Sequence, residues 1–132
     1  MATQLRLSQI LNTEVKIKDD TVTTSSLGVT TWINKLTLPF TSAGQDWLIF
    51  LNAEMNVSDI TEFAGLRVRI DGVSVSNVSA VARDLSNVYY PYSGMNFGSL
   101  SSGSHTITMD FRSSTGLPVS IRRARIFLFD LS

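Results

Sequence analysis

The sequence predicts an all-β protein, an antiparallel, jelly-roll-like β-sandwich of about eight strands with at most one short helical turn. Three observations carry this. Apolar and polar residues alternate with a period of two in segment after segment, the pattern of strands with one buried face. Turn residues punctuate those segments, and no strand–helix–strand spacing is present that would build a parallel sheet. The chain has 132 residues, 43% of them hydrophobic. That suffices for one domain with a sizeable core, whereas two domains would each be too small.

The elements follow in order. Residues 30–40 are rich in Thr, Trp, Ile and Leu and stop at Pro39-Phe40. Residues 47–55 place Ile49, Leu51 and Ala53 on one face and Phe50, Asn52 and Glu54 on the other. In residues 66–70, Leu66, Val68 and Ile70 point inward and Arg67, Arg69 and Asp71 outward. Asp71-Gly72 then reads as a hairpin turn, since Gly accepts positive φ, with residues 73–75 returning. Residues 58–64 carry the one helical signal, Asp59 and Glu62 resembling a capping box. Residues 93–104 are Gly- and Ser-rich and read as a loop leading into a hairpin.

Residues 105–112 form a strand with Ile107, Met109 and Phe111 inward. Gly116 and Pro118 mark the next turn, and residues 119–131 make the last strand. Ala124, Ile126 and Leu128 lie on one of its faces, and Arg125, Phe127 and Phe129 on the other. A strand apolar on both faces is central or covered by another subunit. Phe127, Phe129 and Arg125 are therefore the candidate oligomer interface. Residues 1–25 read as an N-terminal arm or edge strands, and residues 26–132 as the sandwich itself. Trp32 and Trp47 fall within strands and read as core or interface.

Composition narrows the function. Eleven basic and eleven acidic residues cancel, and only 17% of residues are charged. No basic excess points to nucleic acid. The densest basic cluster is Arg122, Arg123 and Arg125, with Arg112 expected nearby; it reads as ion pairing, with a phosphate or acidic-glycan site as the lesser reading. The absence of cysteine excludes disulfides and thiolate zinc sites. No apolar run is long enough to span a membrane, and residues 1–6 show no signal-peptide core, so synthesis in a cytoplasm is expected.

Catalytic signals are absent from the pattern. His105 is the single histidine and has no metal-ligand neighbour at useful spacing, so it reads as a residue whose ring covers a hairpin end. Asp19-Asp20 sits in a polar stretch, and no spacing selects a pair of carboxylates facing across a cleft. No phosphate loop, dinucleotide fingerprint or calcium loop occurs. No catalytic residue, metal site or cofactor is therefore expected. Tyr89, Tyr90 and Tyr92 surround Pro91 and form the candidate ligand- or partner-binding loop, because tyrosine offers large contact area at low entropic cost. The same rings equally suit capping the sandwich end or packing between subunits.

One resemblance sharpens the expectation. The run from Gly103 to Arg112, followed by Val119-Ser120-Ile121-Arg122-Arg123-Ala124-Arg125-Ile126, resembles the closing strands of small jelly-roll virion proteins of tailed bacteriophages, of the capsid decoration (cement) or tail-fibre tip type. It covers about 30 residues and carries no catalytic signature. It implies a non-enzymatic structural virion protein, most simply a decoration protein that forms a homotrimer and stabilises a lattice of major capsid protein. The alternative it leaves open is a receptor- or carbohydrate-binding module, with a glycan bound at the tyrosine loop.

Overall fold

The computed structural model describes residues 14–26, 30–44, 46–59, 63–81 and 88–131. Nine strands follow one another: β1 (Glu14–Asp20), β2 (Thr24–Ser25), β3 (Ile33–Ala43), β4 (Asp46–Val57), β5 (Phe63–Ile70), β6 (Val73–Val81), β7 (Tyr90–Ser99), β8 (Ser102–Ser113) and β9 (Val119–Leu131). Sheet A has the order β1-β9-β4-β7, with β2 also on β9; sheet B has the order β3-β8-β5-β6. Every neighbouring pair is antiparallel. The chain repeatedly crosses from one sheet to the other, which makes two stacked sheets of jelly-roll type. There is no helix among the described residues, so none long and apolar enough to cross a membrane.

The core lies between the sheets. Ile49, Leu51, Ala53 and Met55 of β4 face Leu66, Val68 and Ile70 of β5 and Ile107, Met109 and Phe111 of β8, all buried. Trp47 belongs to this core, whereas Trp32 lies half-buried on the outer side of sheet B. Asp71 and Gly72 have φ of 50° and 82°, the paired positive values of a tight hairpin.

The predicted loop over residues 93–104 is instead mostly strand: β7 runs to Ser99 and β8 starts at Ser102. At Gly98 the glycine reflects packing. A Cβ on Gly98 would stand 2.8 Å from the Trp47 ring, so the indole occupies the space a side chain would need. The predicted helical turn is not found in the residues described around it. Ser58 and Asp59 form a bend, β5 begins at Phe63, and residues 60–62 lie outside the described residues.

Two irregularities redirect side chains. Between Asn34 and Leu36 the β3–β8 register slips, so Lys35 and Leu36 are both buried. The Lys35 ammonium donates to Asp20 Oδ2 at 2.9 Å, the Val22 carbonyl at 2.6 Å and Thr24 Oγ1 at 2.9 Å. The hydrogen bond from Lys35, followed by the Val22 amide, holds the Asp20 carboxyl below its ordinary pKa. Residues 14–25 are thus edge strands laid along β9 and tied to β3; the question of an arm concerns residues 1–13, which lie outside the described residues.

On the outer face of sheet B, Asp110 is covered by Arg67 at 2.9 Å, Arg69 at 3.1 Å and Asn34 at 3.2 Å. Arg69 is misaligned for a hydrogen bond, so its contribution is charge alone. Arg67 and Arg112 stack on Trp32, 4.2 and 4.6 Å from the ring centre. Arg112 is therefore not beside Arg122, Arg123 and Arg125, which belong to the other sheet.

His105 does cover hairpin ends. Nδ1 lies 2.6 Å from Asp71 Oδ2 in the β5–β6 turn, Nε2 lies 2.8 Å from the Ser101 carbonyl before β8, and the ring packs on Phe40. Both ring nitrogens face acceptors, so the doubly protonated ring fits the site best. The Asp71 hydrogen bond first, and that to Ser101 second, raise the His105 pKa above its usual value. His105, then the Thr106 amide, lower that of Asp71.

Two predictions follow from this packing. Asp110→Ala leaves Arg67 and Arg69 facing each other without their carboxylate and should cost roughly 2–3 kcal/mol in urea denaturation, the lower range for a partly exposed cluster. The His105 contribution is complete below the unfolded histidine pKa and is lost as pH rises through the raised folded value. That of Asp71 is lost at the other end, as pH falls through its lowered value. The melting temperature of the wild type should therefore fall by a few degrees as pH rises from the usual histidine value through the raised one. His105→Gln should remove that slope in the same melting series.

Candidate functional site

The second face of sheet A is built by the pleat. In β4, inward Ile49 and Leu51 alternate with outward Leu48 and Phe50; in β9, inward Ile126 and Leu128 alternate with outward Phe127 and Phe129. Antiparallel register then lines the outward residues into rows across four strands. One row is Val15, Phe129, Leu48 and Phe97; the next is Ile17, Phe127, Phe50 and Met95. All eight side chains are apolar, and none is fully buried. Phe50 and Phe129 meet edge to face at 5.7 Å between ring centres. Phe50, Met95, Phe127 and Phe129 border a groove of about 630 Å³. An antiparallel sandwich facing water normally carries polar residues on its outer faces.

The third row changes character abruptly. It is Asp19, Arg125, Asn52 and Ser93. Arg125 lies 3.6 Å from Asp19 and packs over Phe127, so its stem borders the apolar field while its charge is met by a neighbour. Beyond it β9 bulges. Asn52 pairs with Arg125 but Glu54 with Arg122, so β9 spends an extra residue, and Arg123 has φ +48°. A non-glycine residue in this region costs about 1–2 kcal/mol. The bulge brings Arg122 and Arg123 onto the same carboxylate, at 2.7 and 2.9 Å from Glu54. These two hydrogen bonds, Arg122 first, hold the Glu54 carboxyl below its usual pKa. Asp19, Asn52, Glu54, Pro91, Arg123 and Arg125 surround a more polar hollow of about 440 Å³ over Ala53 and Ala124.

The structure thus brings Phe127, Phe129 and Arg125 together on one outer surface. Of the three tyrosines it leaves only Tyr89 outside a strand, under the Arg122 guanidinium at 3.7 Å; Tyr90 and Tyr92 lie in β7, and Tyr92 packs against the core. Sequence reasoning missed Val15, Ile17, Leu48, Met95 and Phe97 as members of this surface. A signal existed in β1, where Val15 and Ile17 alternate with Lys16 and Lys18. The register that aligns them with Phe129 and Phe127 is a long-range property. Among the described residues, no group of three His, Cys, Asp or Glu side chains is gathered that could hold a metal ion.

No protein-family model matches the chain, and no curated protein matches it. Solved structures do. A chain of the infectious bursal disease virus Gt strain superposes with a TM-score of 0.64 over 91% of this chain at 9% identity. This chain spans only 33% of the viral one. The CBM36-1 domain of a multidomain xylanase from the hindgut metagenome of Trinervitermes trinervoides gives 0.55, covering 86% of this chain and 96% of that domain at 12% identity. The sugar-binding C-terminal domain of EclA gives 0.51, with 80% and 77% covered at 15% identity. At such identities the likeness establishes the fold alone.

Proposed function

We propose that this chain is a non-enzymatic structural protein of a virion, of the capsid decoration or cement kind, which works by burying the outer face of sheet A against protein. The observation that carries the reading is the pair of four-residue apolar rows on a sheet face that points away from the core. Such a face gains free energy only when covered, at about 25 cal/mol per Å² removed from water. The resemblance of the closing strands to phage virion proteins and the superposition on a viral chain support the virion setting. The chemistry is consistent with binding rather than catalysis. The one histidine is engaged through both ring nitrogens, and Glu54 is neutralised by two arginines.

A second reading is favoured by one observation. The hollow beside the β9 bulge presents Asp19, Asn52, Glu54, Arg123 and Arg125, groups suited to hydrogen-bonding the hydroxyls of a glycan. It would make the chain a carbohydrate-binding module, as two of the superposing domains are by description.

Co-sedimentation separates the two. Mixed with capsids that lack it, the wild-type chain should pellet with them. Phe127→Asp should weaken that association about 30-fold or more, the loss typical of an anchor residue. Arg123→Ala should leave it near the wild-type level. Retention of the chain on a glycan array, abolished by Arg123→Ala and untouched by Phe127→Asp, would replace the structural reading with the glycan one.

A further inference from the structure

We infer that the occupant of the apolar face of sheet A is a second copy of this chain, set against it face to face across a two-fold axis. The inference rests on the reading above, that this face binds protein, and names the partner; Phe127 then governs capsid association through the paired state, since two linked copies bind a lattice more tightly than one.

The first argument is area. Met95 is 63% exposed, Ile17 55%, Val15 45%, Phe97 44% and Phe50 39%, with Leu48, Phe127 and Phe129 adding smaller shares. Together they present roughly 500 Å² of contiguous apolar surface, at the top of the range for monomeric proteins. With the polar row around it, the face approaches the ~800 Å² per partner that a standard stable interface buries.

The second argument is shape. A twisted four-stranded sheet is most readily covered by another sheet of the same twist, packed at ~10 Å, as sheet B covers its inner side. A second copy supplies that surface. The same face also carries projections, Met95 and Ile17, and a groove of about 630 Å³ between Phe50, Met95, Phe127 and Phe129. Both halves of a fitting contact are therefore present on one surface.

The third argument is charge. The chain is formally neutral, so two copies approach without net repulsion. The border row holds Asp19 and Arg125, already opposite in sign. Paired within each copy, they leave the border row without net charge to repel a second one.

Symmetry follows from the count of surfaces. The other strongly exposed apolar residues described, Val22, Phe63, Val73, Val88 and Leu117, stand outside these rows. A single patch buried against itself is an isologous contact and closes as a dimer; a ring needs two different patches on each copy. The inference is therefore of a two-fold pair, where the resemblance implies a homotrimer.

The absence of cysteine gives a direct test. The purified chain should have a dimer's mass in light scattering at about 10 µM, and Met95→Glu should raise the dimer dissociation constant about 30-fold or more. Met95 is exposed enough for that change to leave the fold intact, which circular dichroism checks. Phe50→Cys, near the middle of the face, should form a disulfide-linked dimer under mild oxidation, while Val73→Cys on the distant β5–β6 hairpin should not. A wild-type monomer that still pellets with capsids would overturn the inference and leave the structural reading standing. A trimer, or a dimer indifferent to Met95→Glu and Ile17→Glu, would also overturn it. A dimer sensitive to both variants but unable to join any capsid would support the inference while removing the decoration role.

Discussion

Strand β9 must satisfy neighbours on both edges and on both faces at once. It is hydrogen-bonded to β1 and β2 along one edge and to β4 along the other. Its inner face supplies Val119, Ile121, Ala124, Ile126 and Leu128 to the core, all fully buried. Its outer face supplies Phe127 and Phe129. Strict alternation cannot do this, because Val119 and Ile121 are odd-numbered and the other three even. The extra residue at Arg123 resets the phase. The left-handed backbone there keeps both halves of the strand facing the core, and it sets Arg122 and Arg123 side by side on Glu54.

The same reset shapes the outer surface. Because the bulge lies beyond Arg125, alternation runs unbroken from Ala124 to Phe129, and two apolar rows form before the polar one. The boundary of the apolar field is set by the polar row of Asp19, Arg125, Asn52 and Ser93, and the bulge beyond it adds Arg122 and Arg123 to the charged side. Position along one strand separates a surface suited to sheet-on-sheet contact from a surface suited to polar ligands.

Much of the core was legible in the sequence. Alternation in residues 47–55, 66–70 and 105–112 identified the inward sets correctly, because where the register shifts along these strands the extra residue belongs to the partner strand. Asp71-Gly72 announced its hairpin through turn chemistry. What was hidden depended on partners far along the chain. Gly98 looked like a loop residue because the side chain that fills its space, Trp47, comes from another strand. The burial of Lys35 was not legible, because its bulge and the acceptors from Asp20 to Thr24 are tertiary features. The apolar surface was half visible: Phe127 and Phe129 are adjacent in one strand, whereas their alignment with Ile17, Phe50 and Met95 needs the register of four. Arg112 was misplaced for the same reason, since sequence proximity does not say which sheet a strand joins.

The antiparallel pairing of β1 with β9 has a kinetic consequence. Glu14 lies opposite Asp130 and Asp20 opposite Ala124, so the first strand described waits for the last. Nor can β4 acquire its neighbour on that side before β9 exists. Sheet A therefore has a vacant centre until β9 has been made, and its closure must meet the entropic cost of a loop of more than a hundred residues, roughly from β1 to β9. Such high contact order places folding in the millisecond-to-second regime. During that interval β1 and β4 expose unpaired edges beside apolar side chains, the condition under which nascent chains aggregate or recruit chaperones. A fold that completes itself with its final strand ties its yield in the cell to how quickly that strand arrives.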